Sequence, residues 1–184
     1  MRRCWVDWCS CFWQLKWRFT LIKTGGEGKV MITILFVCTG NTCRSPMASA
    51  LLLKKWQEKK EMLKPGEIQV WSAGLFTHDD LPASPKAIEA MREEGIDISL
   101  HRSSNLREKH IRDADLILTM TVSQRDNILD RFPDKNEYIY TLGEFTGDEA
   151  GEVLDPYGKD METYRRSLSQ LKLLVDRLIN KIIE

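Results

Sequence analysis

The 184-residue sequence has no cysteine after Cys43 and no internal repeat or low-complexity stretch. It has no uncharged apolar run of the ~18 residues that mark a membrane-crossing helix, so no transmembrane helix is expected. It carries no surplus of either charge, with 27 Lys+Arg against 27 Asp+Glu. The basic excess by which nucleic-acid-binding proteins usually declare themselves is therefore missing, and no nucleic-acid partner is expected. The opening stretch is no secretion signal, because Gln14, Lys16 and Arg18 interrupt its apolar residues and no small-residue cleavage site follows. With no export signal and its cysteines read as thiols, the chain is expected in the cytoplasm, off the membrane. What is present is ordinary for a folded protein: 42% hydrophobic and 29% charged residues. A single domain of this length buries ~70% of its unfolded surface and needs no disulfide or metal to fold.

The first thirty residues differ from the rest. They hold four of the six tryptophans and three of the five cysteines, and they balance at +4 where residues 31–184 balance at −4. Three readings are open. Trp5, Trp8, Phe12, Leu15, Phe19 and Ile22 fall at helical spacing and would make an interfacial amphipathic helix. Cys4, Cys9 and Cys11 would make a metal site, although zinc normally takes four ligands and no histidine lies nearby. The third reading is a misassigned start before Met31. The codons of Gly25, Gly26, Glu27 and Gly28 begin GG or GA, as a ribosome-binding site read as protein would. The expected organisation is an extension over 1–30, disordered or misassigned, a linker at 25–28, and a domain over 31–184.

From Met31 the pattern is α/β. Ile32–Val37 is a continuous apolar run, the mark of a strand buried on both faces. Ser45-Pro46 reads as an N-cap and first turn of a helix reaching about Lys60. Further strands are expected at Ile68–Ala73, Leu116–Met120 and Tyr138–Leu142. A helix opens at Ser84-Pro85 and closes at Gly95, and another follows a Thr121/Gln124 capping box. A loop is expected over 143–160. The last helix runs from Met161 to Ile183, with Tyr164, Leu168, Leu171, Leu174, Val175 and Leu178 inward. Alternating strands and helices predict a three-layer α/β/α fold around a parallel sheet, with its ligand site beyond the carboxyl ends of the strands.

The loop after the first strand lies at that end. Cys38 and Arg44 frame five residues there. A loop of this length curled around one point aims its N–H groups inward as an anion nest, and the following helix adds its N-terminal partial charge. Thiolate, the reactive form of cysteine, suits the floor of such a nest. Arg44 can grip two phosphoryl oxygens with its planar fork. Gly40 is expected to permit the tight backbone, Asn41 to take a left-handed conformation, and Ser45 to donate to Cys38. Thr39, Thr42 and Cys43 complete the substrate-binding loop.

The run Val37-Cys38-Thr39-Gly40-Asn41-Thr42-Cys43-Arg44-Ser45-Pro46 resembles the signature of the low-molecular-weight protein tyrosine phosphatase family. Leu154-Asp155-Pro156-Tyr157-Gly158 matches its second signature, and the likeness covers about Met31 to Ile183. The resemblance implies a four-stranded parallel sheet, a phosphocysteine intermediate on Cys38, and Asp155 as general acid. A carboxylic acid on a mobile loop can protonate a leaving group, and Tyr157 is expected to line the cleft and stack on the substrate. Thr42 and the Asp-Pro-aromatic-Gly form resemble the family's protein-arginine phosphatase branch. Phosphorylated proteins are then the partners: phosphoarginine proteins first, phosphotyrosine proteins as the alternative. An arsenate reductase shares this fold but needs resolving cysteines later in the chain, and none is present. A phosphate-binding module without catalysis would be expected to lack Cys38, Arg44 or Asp155.

Cys43 follows five residues after Cys38 in a loop that must curl, so the two are expected to form a disulfide when Cys38 is oxidised. His78, His101 and His110 lie outside both signatures and read as surface residues. No cofactor is called for, and no metal spacing occurs in 31–184.

Overall fold

The computed structural model describes residues 23–25, 29–59, 66–149 and 151–183. The amphipathic stripe and the cysteine cluster of the opening stretch lie outside them. Strand β2 runs from Lys29 to Cys38, and Ile34, Leu35, Phe36 and Val37 are each fully buried. It is central: β3 (Gly66–Gly74) and β4 (Leu116–Thr119) pair with it in parallel, and β5 (Ile139–Thr141) pairs in parallel with β4. The four expected parallel strands thus stand in the order β3-β2-β4-β5. A short strand not foreseen in the sequence, β1 (Lys23–Gly25), pairs antiparallel with Lys29–Met31. The sheet therefore reaches back across the expected boundary at 30/31.

Alternation along β2 divides the core. Ile34 and Phe36 face α1 (Arg44–Lys59), α2 (Pro85–Glu93) and α6 (Met161–Ile183), where Met47, Leu51, Met91, Leu171, Leu174 and Leu178 pack. Leu35 and Val37 face the opposite layer, where α3 (Glu108–Asp113) and α4 (Val122–Arg131) bring Ile111 and Ile128. Each large aliphatic so enclosed is worth ~2 kcal/mol over exposure. The long helix α6 buries every residue its spacing had turned inward.

The local signals place most ends correctly. Ser84 Oγ caps α2 by accepting from Ala87 N–H, Pro85 takes the first turn, and Gly95 follows the helix with φ of 68°. Three readings need correction. Helix α1 begins at Arg44, so Ser45 lies inside its first turn, and its hydroxyl turns back into the loop instead of capping. Only half of the Thr121/Gln124 box forms, because the Gln124 side chain accepts from Met120 N–H and not from Thr121. The expected loop over 143–160 opens with a helix instead: α5 (Leu142–Thr146) carries a full Thr141/Glu144 capping box and ends at Gly147 in the left-handed region.

Candidate active site

The carboxyl end of β2 delivers Cys38 to the floor of the loop, 3% exposed. Its Sγ receives the N–H of Asn41 at 3.2 Å and lies 3.1 Å from Ser45 Oγ. Ser45 Oγ accepts from Asn41 Nδ2 at 2.8 Å, which leaves the Ser45 proton for Cys38 sulfur. Asn41 has φ of 51°, as expected, and is fully buried. Its Oδ1 accepts from Ser104 N–H at 2.9 Å.

The role given to Gly40 belongs elsewhere. Gly40 has no positive φ, and a Cβ there would meet only Thr42 Oγ1 at 3.6 Å. The glycine the loop needs is Gly74, at the end of β3. A Cβ on it would stand 2.7 Å from Thr77 Cγ2 and 2.9 Å from the Thr39 carbonyl, too close for the loop to keep its path.

Arg44 is buried in the first turn of α1, its side chain 4% exposed. Its Nη2 donates to Asp155 Oδ2 at 2.7 Å, and Nη1 reaches the Val153 carbonyl at 3.4 Å. Asp155 is 52% exposed, and its Oδ1 accepts from Tyr157 N–H at 3.1 Å. The fold thus brings Cys38, Arg44, Ser45 and Asp155 to one place. Arg44 and Asp155 border a cleft of about 460 Å³, lined also by Thr39, Leu75, Phe76, Thr121, Gln124 and Asn127, while Cys38 and Ser45 lie buried in the same loop as Arg44. Tyr157 does not line that cleft. Its N–H closes a turn on Asp155, and the residue is 72% exposed.

A buried sulfur with hydroxyl and amide donors, and an arginine in the same loop that grips a carboxylate from a separate one, are the parts that phosphoryl transfer through a covalent cysteine intermediate requires. The family model for low molecular weight phosphotyrosine protein phosphatases matches residues 33–184. The chain belongs to this family. It is 44% identical, over 81% of its length and 95% of the relative's, to a protein-arginine-phosphatase of Geobacillus stearothermophilus. It is 39% identical, over 82% of its length and 95% of the relative's, to a probable low molecular weight protein-tyrosine-phosphatase, EpsP, of Ralstonia nicotianae. Among solved structures it resembles the arginine phosphatase YwlE, in a Cys-to-Ser mutant with a phosphorylated active-site serine. There the TM-score is 0.75 at 36% identity, covering 82% of this chain and 95% of that one.

Around this phosphatase loop stand residues that no short motif announces. His101 is one of the three histidines read as surface residues. It is half-buried, and its Nε2 meets the Asn41 carbonyl at 2.8 Å. A carbonyl only accepts, so Nε2 carries the proton and the ring holds the loop from outside. Burial holds its pKa below the usual imidazole value, against the upward pull of that hydrogen bond. His110 is also half-buried and packs edge-on against Trp71. His78 is exposed, as expected.

Thr42 is half-buried, and its carbonyl accepts from Ser84 N–H at 2.8 Å. Cys43 is 4% exposed and lies 3.3 Å from the Tyr164 hydroxyl, which also receives Ser84 Oγ–H at 3.0 Å. Burial, then the hydrogen bond to Cys43, pushes the Tyr164 phenol up to about 12. Cys38 and Cys43 are both free thiols. No group of three or more His, Cys, Asp or Glu side chains among the described residues is placed to hold a metal ion.

Proposed function

We propose that the protein hydrolyses phosphoarginine in proteins through a phosphocysteine on Cys38. The observation that carries this is the pairing of Arg44 with Asp155 at one cleft, in the loop that begins with the buried Cys38, in a chain 44% identical to a protein-arginine-phosphatase. The phosphoryl group enters the loop, and Arg44 moves its grip from Asp155 to phosphoryl oxygens. Once Arg44 has let go, the solvent-exposed Asp155 carboxylate takes up a proton from water; the Cys38 sulfur attacks phosphorus, the P–N bond breaks, and Asp155 gives that proton to the departing guanidine nitrogen. A water then attacks phosphorus with Asp155 as base, and phosphate and the Cys38 thiolate are released. Ser45 donates to that sulfur as it leaves. The backbone amides of Thr39 to Cys43 hold the phosphoryl oxygens, and Tyr157 flanks the incoming side chain at the rim. The phosphorylated serine in the YwlE mutant supports the covalent step.

Phosphotyrosine is the second reading. Phe76, 68% exposed on the cleft wall, offers a ring for an aromatic substrate to stack against. Comparing kcat/KM on phosphoarginine and phosphotyrosine peptides decides between them. A ratio favouring phosphotyrosine would overturn the first reading. The unit expected to do this is 31–184, so a chain begun at Met31 should keep the full kcat/KM. The free thiols suit a reducing compartment, and we place the protein in the cytoplasm. None of the described helices is long and apolar enough to cross a membrane.

A further inference from the structure

Gln124 lies in the first turn of α4, 6% exposed, far in sequence from the phosphate loop. Both ends of its carboxamide are engaged. Its Oε1 accepts from Met120 N–H at 3.0 Å, a donor shared with the Val37 carbonyl at 3.2 Å, and its Nε2 donates to Thr39 Oγ1 at 2.9 Å. A backbone N–H can only donate, so the first bond fixes which way round the amide stands. Thr39 must therefore receive a proton from Gln124, and its own hydroxyl proton points elsewhere. No described residue accepts that proton, and Thr39 borders the cleft together with Arg44 and Asp155.

We propose that Gln124 is a positioning residue that aims the Thr39 hydroxyl proton at the substrate's phosphoryl group. The proposal rests on the phosphatase reading above and deepens it. A guanidinium carries only N–H donors, so on phosphoarginine the acceptors within reach of that proton are phosphoryl oxygens. The relay from Met120 N–H through Gln124 to Thr39 adds one side-chain donor to the backbone nest and Arg44. It also explains why a buried glutamine stands where the helix needed no cap from it.

Two substitutions and a double-mutant cycle test this by calorimetric titration with inorganic phosphate, with Tm recorded for each variant. Gln124→Met removes the donor at similar length and should weaken phosphate binding about three- to tenfold, the worth of one hydrogen bond. In a Thr39→Val background the same substitution should add almost nothing, because the group it orients is gone. Gln124→Glu gives an independent reading. A protonated carboxyl accepts from Met120 and donates to Thr39 as the amide does, whereas a carboxylate would draw the Thr39 proton away from the cleft. Its phosphate affinity relative to wild type should fall on the order of tenfold near pH ~8 and recover as pH drops toward ~5. Wild-type affinity in Gln124→Met, additive losses in the double mutant, or a Gln124→Glu ratio flat with pH would each overturn the proposal. Turnover of phosphoarginine by wild type is scored separately. Its absence would sink the proposed function, while phosphate titration would still decide the role of Gln124.

Discussion

The phosphate loop and the acid loop meet at one cleft and are built in opposite ways. In the first, Cys38, Asn41, Cys43, Arg44 and Ser45 are each at most 4% exposed, and Asn41 alone is tied to Cys38, Ser45, His101 and Ser104. In the second, Asp155 and Tyr157 are half or more exposed, and the Asp155 carboxylate is held by one arginine and one backbone N–H. Preorganised donors must not move when charge develops on phosphorus. A group that gives a proton and then takes one must be free to shift between two partners.

The comparison can be broken most severely at the rigid loop. Cys38→Ser should lower kcat on the order of 10⁴-fold or more while the protein stays folded and still binds phosphate, because a serine hydroxyl is a far weaker nucleophile. Full turnover in that variant would end the mechanism. Arg44→Lys should also be crippled, since an ammonium cannot grip two oxygens.

A change in the acid loop should be smaller and depend on the substrate. Asp155→Asn should slow a phosphoarginine peptide ~10²-fold or more, but p-nitrophenyl phosphate much less, because nitrophenolate leaves without a proton. Equal losses on both substrates would show that Asp155 matters only for holding Arg44.

Oxidation probes how far the rigid loop can give. Peroxide should oxidise Cys38 to a sulfenic acid, and the Cys43 thiol should condense with it, releasing water and forming a disulfide that dithiothreitol reduces. Cys43 must first leave the Tyr164 hydroxyl. Cys43→Ala should turn this reversible inactivation into permanent loss, read by activity after reductant and by mass spectrometry. Equal recovery in the variant would leave Cys43 a packing residue.

The smallest effect concerns His101. Its pKa is lowered in the folded protein, so the unfolded chain takes up a proton first as pH falls below ~6.5. Stability contributed by the neutral ring is present above that pH and is lost as pH drops through the folded value. Tm should therefore decline over this range, and less steeply in His101→Gln.

How much of this was legible depended on the range of the signal. The apolar run of β2, the seven-residue frame of Cys38 and Arg44, and the stripe of α6 are local patterns that physics repeats from protein to protein. The partners of Asn41 were not legible. Nothing in the chain near His101, Ser104 or Gln124 says that the fold will place them against residues 39–41, sixty or more positions away. The same holds for Gly74, whose need to be glycine arises only where β3 ends beside the Thr39 carbonyl. Helix α5 was missed for another reason. Five residues are too few to show a period, although Thr141 and Glu144 at capping-box spacing were there to be read.

The pairing of Asp155 with Arg44 makes the carboxylate a tethered competitor for the arginine. An anion must displace a group already present at an effective concentration in the ~mM range. Chloride or a free carboxylate offers Arg44 no more than it has already. A phosphoryl dianion brings more charge and more oxygens, enough for both the arginine and the amides below it. The site thereby filters the anions of its surroundings before any chemistry begins, and the same displacement that admits a phosphoryl group releases the acid for the step that follows.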